Sequence, residues 1–217
     1  WSIRRLIKDL RIEVVQTWLL QMDVFGGIAC LTASTPWILA ERSSAARYSN
    51  GWKFKLRRVV GRGATAIVAN SSGGLEYWST VSQSRLNCVI RNIVPVSAIE
   101  AARREEALEP RIAPGRRVLV TASRFSPEKN LLLLMRALDV VLGDAEDVDA
   151  IFFGEGPMRD SLDAAVRRSP WRDRIHVCGY TASLWSWMKR ATAFVSVSQC
   201  EGAPNTVLEA MAAGCPV

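Results

Sequence analysis

The sequence has few of the residues that build metal centres and nucleophilic triads. It contains a single histidine, His176, which lies between Ile175 and Val177 in an apolar run and is therefore expected to be structural. A hydrolase triad needs a histidine beside its nucleophile, so that class of enzyme is disfavoured. No cluster of cysteine and histidine has metal-ligand spacing, and we expect no metal cofactor.

Paired cysteines and long apolar runs are also lacking. The five cysteines are scattered along the chain, at Cys30, Cys88, Cys178, Cys200 and Cys215. This spacing predicts free, buried thiols in a reducing compartment. No stretch approaches the roughly 18 apolar residues of a spanning helix, and no secretory signal is visible, although the chain opens without a methionine. These features predict a cytoplasmic protein.

Positive charge is in excess. The chain of 217 residues carries 28 Lys and Arg against 21 Asp and Glu, a formal net charge of +7. Such an excess favours a polyanion, an anionic surface or a phosphorylated ligand as partner. The arginines are spread in pairs along the whole chain, and no nucleic-acid-binding motif is present. A basic nucleic-acid-binding protein is therefore an alternative supported by charge alone.

Short apolar runs alternate with helical patterns, which predicts an α/β fold with parallel sheets. Strands are predicted at 12–17, 37–40, 65–69, 86–90, 118–122, 150–153, 175–178 and 194–198. Helices are predicted at 3–10, 24–33, 52–60, 75–82, 97–108, 130–142, 158–168, 184–190 and 206–213.

A proline-rich and charged stretch interrupts this alternation. We therefore predict two Rossmann-like domains that face each other across a cleft, at 1–95 and 117–217, with a linker at 96–116. Each domain lacks elements that a complete one would have. We expect the chain to be a fragment of a longer protein, lacking both ends.

The last twenty or so residues predict a strand, a loop and a helix. A loop between a parallel strand and a helix lies at the carboxyl edge of the sheet, where α/β proteins bind ligands, and the start of a helix favours an anion. Glu201 in the loop and Glu209 in the helix can accept hydrogen bonds from vicinal hydroxyls of a sugar or a ribose. Two alternatives remain open: Thr206 to Glu209 also fits a capping box, and Glu201 also fits a solvated loop position.

A second loop places two cations at the same predicted edge. Arg124 and Lys129 follow the strand at 118–122 and are suited to hold a diphosphate, the arginine as a fork and the lysine as a point charge. They are also suited to stabilise negative charge on a departing nucleotide. The alternative is that both charges are solvated, since Ser126-Pro127-Glu128 is a typical helix start.

Two segments resemble a known family. Glu201 to Val217 reads E-G-A-P-N-T-V-L-E-A-M-A-A-G-C-P-V, and Arg124 to Lys129 reads R-F-S-P-E-K. Both resemble signatures of the large retaining glycosyltransferase family with a GT-B fold, usually called family 4, with Ala122-Ser123 where that family usually has glycine before the arginine. The resemblance implies transfer of a sugar from a nucleoside-diphosphate sugar to an acceptor hydroxyl with retained anomeric configuration.

The resemblance also implies roles for particular residues. Arg124 and Lys129 would neutralise the leaving diphosphate, Glu201 would hold the donor sugar and Glu209 the ribose. Further donor contacts are expected from Gly202, Ala203, Pro204, Asn205, Thr206, Gly154, Gly156 and Tyr180. The alternatives are a plain tight turn for the two glycines of Gly154-Glu155-Gly156 and a core position for the tyrosine.

The N-terminal half is implied to bind the acceptor. Val14 to Gln21 resembles a family segment in which histidine commonly occupies the places of Gln16 and Gln21. Glutamine hydrogen-bonds a hydroxyl but takes no proton near neutral pH. The candidate acceptor-side residues are Gln16, Arg42 and Asn70, and the neighbouring Glu41 and Ser71 also match family positions.

The segment Trp52 to Val60 mixes aromatic and cationic residues. It fits an interfacial helix on an anionic membrane, or a helix that packs its apolar side on the sheet and leaves its charges solvated. The resemblance adds lipid-linked acceptors, a location at the inner face of the membrane, and bacterial polysaccharide or glycolipid synthesis. An inactive nucleotide-sugar-binding relic is a further alternative, suggested by the two glutamines and the missing ends.

Overall fold

The computed structural model describes residues 2–44, 48, 51–81, 86–102 and 110–217. The chain divides into two compact units. The first comprises Trp1–Asn92 and Cys200–Ala203, and the second comprises Ile93–Gln199 and Pro204–Val217. Part of the predicted linker and of the helix predicted at 97–108 lies outside the described residues, and the predicted domain boundaries stay a prediction.

The first unit contains a four-stranded parallel sheet with the order β1-β2-β3-β4. Its elements in chain order are α1 (Ser2–Asp9), β1 (Val15–Trp18), α2 (Leu20–Ala33), β2 (Trp37–Glu41), α3 (Trp52–Gly61), β3 (Ala66–Ala69), α4 (Ser72–Ser79) and β4 (Leu86–Val89). Consecutive strands are neighbours because each is joined to the next by a helical crossover. The largest difference from the prediction is α2, which begins at Leu20 rather than at residue 24.

A close approach of helix to strand builds the core of the first unit. Trp37 and Trp78 are almost completely buried in one apolar cluster with Leu39 and Ile67. A Cβ atom at Gly27 would lie 2.4 Å from the Trp37 ring, so α2 can pack on β2 only because this position has no side chain. Burial of such large side chains contributes about 1.5–3 kcal/mol each.

A buried charge network joins α3 to the sheet. Arg57, at the middle of α3, is 2% exposed and contacts Asp23 at 2.7 Å and Glu41 at 2.8 Å. Glu41 also accepts hydrogen bonds from the backbone N–H of Ser43, the hydroxyl of Tyr48 and the indole N–H of Trp78. All of its acceptor positions are therefore used, as a buried carboxylate requires.

The network holds two carboxylates and one guanidinium. Burial raises the pKa of the Asp23 carboxyl above its ordinary value, and the charge of Arg57 and the Thr17 hydroxyl work against that rise. Burial works to lower the pKa of Arg57, but Glu41, Tyr48 and Asp23 outweigh it, so the net direction is upward. Arg57 therefore stays charged, and it compensates the two acids that face it.

The second unit contains a four-stranded parallel sheet with the order β7-β6-β5-β8. Its elements are α5 (Val96–Ala101), β5 (Arg117–Ala122), a 3₁₀ turn (Pro127–Lys129), α6 (Leu131–Asp144), β6 (Val148–Phe153), α7 (Arg159–Arg168), a 3₁₀ turn (Arg172–Arg174), β7 (Ile175–Val177), α8 (Leu184–Arg190), β8 (Ala193–Phe194) and α9 (Asn205–Ala212). Every residue of β6 is buried, as is typical of a parallel strand covered on both faces.

The strand β8 is shorter than the predicted 194–198. Val195 N–H still donates to Val120 O at 2.7 Å, but Gln199 N–H donates to Glu128 O at 3.0 Å. The chain therefore leaves the sheet after Val195 and turns toward the loop that follows β5. Its β-branched residues predicted a longer strand, but hydrogen bonding to that loop replaces sheet pairing.

Two loops at the end of β5 and β6 are bonded to each other. Phe125 N–H donates to Glu155 O at 2.7 Å, and Met158 N–H donates to Phe125 O at 2.9 Å. Gly154 has a φ of +133° and Gly156 a φ of +152°, and a Cβ at Gly154 would lie 1.9 Å from Ser123 O. Only glycine combines this conformation with this approach.

We predict that Gly154→Ala destabilises the second unit by about 2–4 kcal/mol, because it adds a steric clash to a backbone conformation that alanine rarely adopts. Gly115→Ala is the matched control: its φ is +82°, but nothing lies within 4 Å of the added Cβ, so about 1 kcal/mol is expected. Urea unfolding of both variants makes the measurement. Equal losses would show that the loop contact does not constrain Gly154.

We predict that Arg57→Met lowers the free energy of unfolding by about 3–5 kcal/mol, because it leaves two buried carboxylates without a cation. The loss should shrink as the pH falls, since the Asp23 carboxyl, whose pKa burial already raises and which loses the opposing charge of Arg57, then becomes protonated. Arg58→Met on the exposed side of α3 is the control, with an expected change within about 1 kcal/mol. A pH-independent loss in urea titrations would contradict the charge-compensation account.

Candidate functional site

The carboxyl edge of the second sheet gathers most of the predicted donor-side residues. The parallel register pairs Ala122 with Phe153, so β5 and β6 end at the same level. The segments after the four strands contain, in spatial order, Tyr180 after β7, Gly154 and Gly156 after β6, Arg124 and Lys129 after β5, and the loop before α9 after β8. This edge is where parallel α/β sheets bind ligands.

The two predicted cations lie in one short loop. Arg124 is exposed, and Lys129 is half-buried at the end of the 3₁₀ turn Pro127–Lys129. The hydrogen bond from Gln199 to Glu128 connects this loop to the segment that leads into α9. The structure thus brings the β5 loop and the end of the β8 segment together, as the sequence predicted for a shared edge.

Helix α9 begins one residue earlier than predicted. Pro204 is its N-cap residue, and among the described residues no side chain caps it. The capping-box interpretation, which needs Thr206 at the cap, is therefore wrong. The indole N–H of Trp185 on α8 donates to Glu209 Oε2 at 2.8 Å. Since the first N–H groups of a helix lack intrahelical partners, the N-terminal end of α9, at Asn205, is suited to an anion.

The structure bears differently on the predictions for Tyr180 and for the turn Gly154-Glu155-Gly156. Tyr180 is 85% exposed, so the alternative that it belongs to the core is wrong. Packing against Ser123 and Phe125 is enough by itself to require glycine at positions 154 and 156. The tight-turn interpretation therefore accounts for both glycines, and their contact with a donor stays a prediction.

The segment Cys200–Ala203 belongs to the first unit. A Cβ at Gly202 would lie 2.7 Å from Arg42 O and 2.8 Å from Asn70 Oδ1, and Asn92 Nδ2 donates to Ala203 O at 3.1 Å. Asn70 is 4% exposed, and its Oδ1 has no hydrogen-bond partner within the described part of the chain. Gly202 therefore fits closely against two of the predicted acceptor-side residues.

Glu201, in the same segment, is half-buried. Its predicted contact with the donor sugar, shared with Arg124, Lys129 and Glu209, stays a prediction.

The other acceptor-side candidates lie within β1 and directly after β2. Gln16 is exposed, and it shares a face of β1 with Trp18 because side chains alternate along a strand. The Arg42 guanidinium lies 6.0 Å from the centroid of the Trp18 ring, a cation–π distance. Glu41 does not line this surface, since it is completely buried in the Arg57 network. The match of Glu41 to a family position carries no sign of that burial.

Two functional candidates were missed from the sequence. Trp18 is 58% exposed beside Arg42, and its signal was the i, i+2 spacing from Gln16. Trp185 hydrogen-bonds Glu209 from a different helix, and the sequence carries no signal of that contact because 24 residues separate the two.

The remaining titratable candidate, His176, lies in β7 with its Nε2 3.4 Å from Asp149 Oδ1, which supports a structural role. Within the residues that the structure describes, no group of three or more His, Cys, Asp or Glu side chains is placed to hold a metal ion.

Comparison with known protein families gives a match to the second half of the chain. Residues 116–217 match the family described as glycosyl transferases group 1. A galactosaminyltransferase of Campylobacter jejuni that acts on a diphospho-undecaprenol substrate is 27% identical over 156 residues, or 71% of this chain and 40% of that protein. The α-monoglucosyldiacylglycerol synthase of Streptococcus pneumoniae is 31% identical over 108 residues, or 49% of this chain and 24% of that protein.

Solved structures resemble the fold of the whole chain. Anabaena HepE in complex with UDP has a TM-score of 0.79 at 18% identity, over 99% of this chain and 62% of that one. Staphylococcus aureus TarM in complex with UDP has a TM-score of 0.77 at 14% identity, over 99% of this chain and 43% of that one. The chain thus spans less than two thirds of the length of each of these proteins.

The fold is an α/β fold with parallel sheets that matches GT-B glycosyltransferase structures. Residues 116–217, which include this sheet edge, match the family described as glycosyl transferases group 1.

Proposed function

We propose that the protein transfers a sugar from a nucleoside-diphosphate sugar to an acceptor hydroxyl with retention of the anomeric configuration. One observation carries the proposal. The loop with Arg124 and Lys129 and the segment leading into α9 follow the neighbouring strands β5 and β8 at one edge, inside a glycosyl transferases group 1 domain. Cations and the start of a helix at one edge suit a diphosphate.

Charge compensation explains how these residues would act. When the sugar bond breaks, negative charge develops on the departing nucleoside diphosphate. Arg124 and Lys129, together with the N-terminal end of α9, stabilise that charge more strongly in the transition state than in the bound donor. Because these groups supply the positive charge, we propose that no metal cofactor takes part.

Hydrogen-bond acceptors would position the rest of the donor. Glu209 holds the ribose and Glu201 the sugar, since carboxylates accept hydrogen bonds from vicinal hydroxyls. The backbone from Gly202 to Thr206 assists. Tyr180, exposed beyond β7, offers a ring on which a base can stack, and such stacking accepts any base.

On the acceptor side we propose Gln16, Arg42 and Asn70. The names of the Campylobacter and pneumococcal relatives refer to a diphospho-undecaprenol-linked and a diacylglycerol-linked substrate, which supports a lipid-linked acceptor and a place in cell-envelope polysaccharide or glycolipid synthesis. A cytoplasmic location at the inner face of the membrane follows from that acceptor.

Helix α3 provides a surface for peripheral membrane contact. Trp52, Leu56 and Val59 recur on one side of α3 and are 70%, 38% and 60% exposed, with Lys53 and Lys55 exposed beside them. This combination of apolar and cationic side chains is typical of interfacial helices. In the part of the chain that the structure describes, no helix is long and apolar enough to cross a membrane.

We predict that UDP raises the melting temperature of the protein and that Lys129→Ala or Arg124→Ala lowers UDP affinity by about tenfold or more, because each removes a charge-assisted contact to phosphate. The same UDP effect is expected in the presence of EDTA. Arg167→Ala on the exposed end of α7 is the control. Full UDP affinity in both loop variants would contradict the diphosphate role.

An activity assay distinguishes an active transferase from an inactive nucleotide-sugar-binding relic. Incubation of the full-length gene product with radiolabelled nucleotide sugars should release UDP or a similar nucleotide, with the product anomer identified by NMR. Nucleotide binding without transfer or donor hydrolysis would favour an inactive relic, for which the glutamines at Gln16 and Gln21 are the motivating observation.

We predict that replacing Lys53 and Lys55 together by Gln weakens binding to phosphatidylglycerol vesicles roughly 30-fold, since each lysine near an anionic surface contributes about 1 kcal/mol. The pair Arg167→Gln and Arg168→Gln removes the same charge from α7 and should have little effect. Vesicle flotation measures both. Equal weakening by the two pairs would assign binding to net charge and not to α3.

A further inference from the structure

We propose that Trp185 is a positioning residue for the ribose-binding carboxylate of Glu209. The inference rests on the proposed function, in which Glu209 holds the ribose. Its basis is the 2.8 Å hydrogen bond from Trp185 Nε1 to Glu209 Oε2, between two half-buried side chains on different helices. Trp185 does not touch the donor in this proposal and acts only through Glu209.

The direction of this bond is fixed by chemistry. An indole N–H is only a donor, and an ionised carboxylate is only an acceptor with about four lone-pair positions. The bond uses one position on Oε2 and leaves the others for hydroxyl donors. A bond to a charged acceptor is also among the stronger kinds of hydrogen bond. Trp185 can therefore hold the carboxylate in one orientation without blocking it.

The surrounding packing makes that orientation rigid. Trp187 and Met188 on α8 and Ala210 on α9 are completely buried in one cluster on the same face of the sheet. Trp187 packs against Phe153 with ring centroids 5.9 Å apart. The residues that flank the Trp185–Glu209 bond are thus fixed to the core, and the bond links two elements that do not shift independently.

Preorganisation is the consequence. A glutamate on an exposed helix samples several rotamers, and a ligand must order it at a cost in entropy. A carboxylate already held at one oxygen loses less conformational entropy when it binds vicinal hydroxyls. The affinity lost when this hydrogen bond is removed should therefore come from the ribose contact and not from the phosphate or base contacts.

The test measures ribose discrimination, defined as the affinity for UDP divided by the affinity for its 2′- or 3′-deoxyribose analogue. Trp185→Phe keeps the ring and removes the N–H donor, and we expect UDP affinity to fall about tenfold while discrimination falls toward one. Trp171→Phe is the matched control, because Trp171, in the segment between α7 and β7, donates an indole bond of 3.0 Å to Asp139 O on α6, and the exchange removes that bond. It should leave both values unchanged.

A second variant covers failure to fold. Trp185→Tyr keeps a donor at the edge of the ring and is expected to retain more discrimination than Trp185→Phe. If the phenylalanine variant does not fold, the pair Trp185→Tyr and Trp185→Leu makes the same comparison. Lower thermal stability with unchanged discrimination would mean that the bond only ties the helices together, which overturns the inference.

The proposed function and the inference fail in different ways. If Glu209→Ala leaves UDP affinity and discrimination unchanged, the ribose role of Glu209 fails and with it the basis of the inference. If Glu209→Ala abolishes discrimination while Trp185→Phe keeps the wild-type value, only the positioning role is overturned. When Trp185→Phe is added to Glu209→Ala, UDP affinity should stay at the value of Glu209→Ala alone, as expected for residues that act as one unit.

Discussion

The parallel pairing of β5 with β6 is the constraint on which the second unit depends. Six residue pairs from Arg117 to Ala122 set both strands level, so their loops leave the sheet at the same point. The loops then bond to each other through Phe125, and the glycine turn allows that contact. Arg124, Gly154 and Gly156 take their positions from that register, because their loops begin where the two paired strands end.

Much of this arrangement was predictable because it follows from local pattern. Runs of β-branched residues separated by helical stretches specify parallel strands, and parallel strands place their following loops at one edge. The shortening of β8 was not predictable, since the bond from Gln199 to Glu128 depends on tertiary contact. The helix start at Asn205 also differed from the capping-box pattern. The conformation of the preceding loop sets where the helix begins, and it outweighs the preference of threonine for a cap position.

The candidate site shows where sequence reasoning ends. The motifs identified Arg124, Lys129 and Glu209 individually, and the topology supports one edge for them. Motifs say nothing about which side chains orient these groups. The contact from Trp185 joins separate helices, and the burial of Glu41 depends on an arginine elsewhere in the chain. Both are consequences of packing in three dimensions, for which neither periodicity nor spacing contains a signal.

The buried trio of Arg57, Asp23 and Glu41 limits how this half of the molecule can diverge. Exchange of Arg57 for an apolar residue leaves two buried acids without a cation, and exchange of either acid leaves buried donors without their acceptor, while exchange of all three together need not cost stability. Single-step paths from the charged to an apolar interior therefore pass through poorly folded intermediates. Descendants of this chain should inherit the three residues as a block, even where the surrounding surface drifts freely.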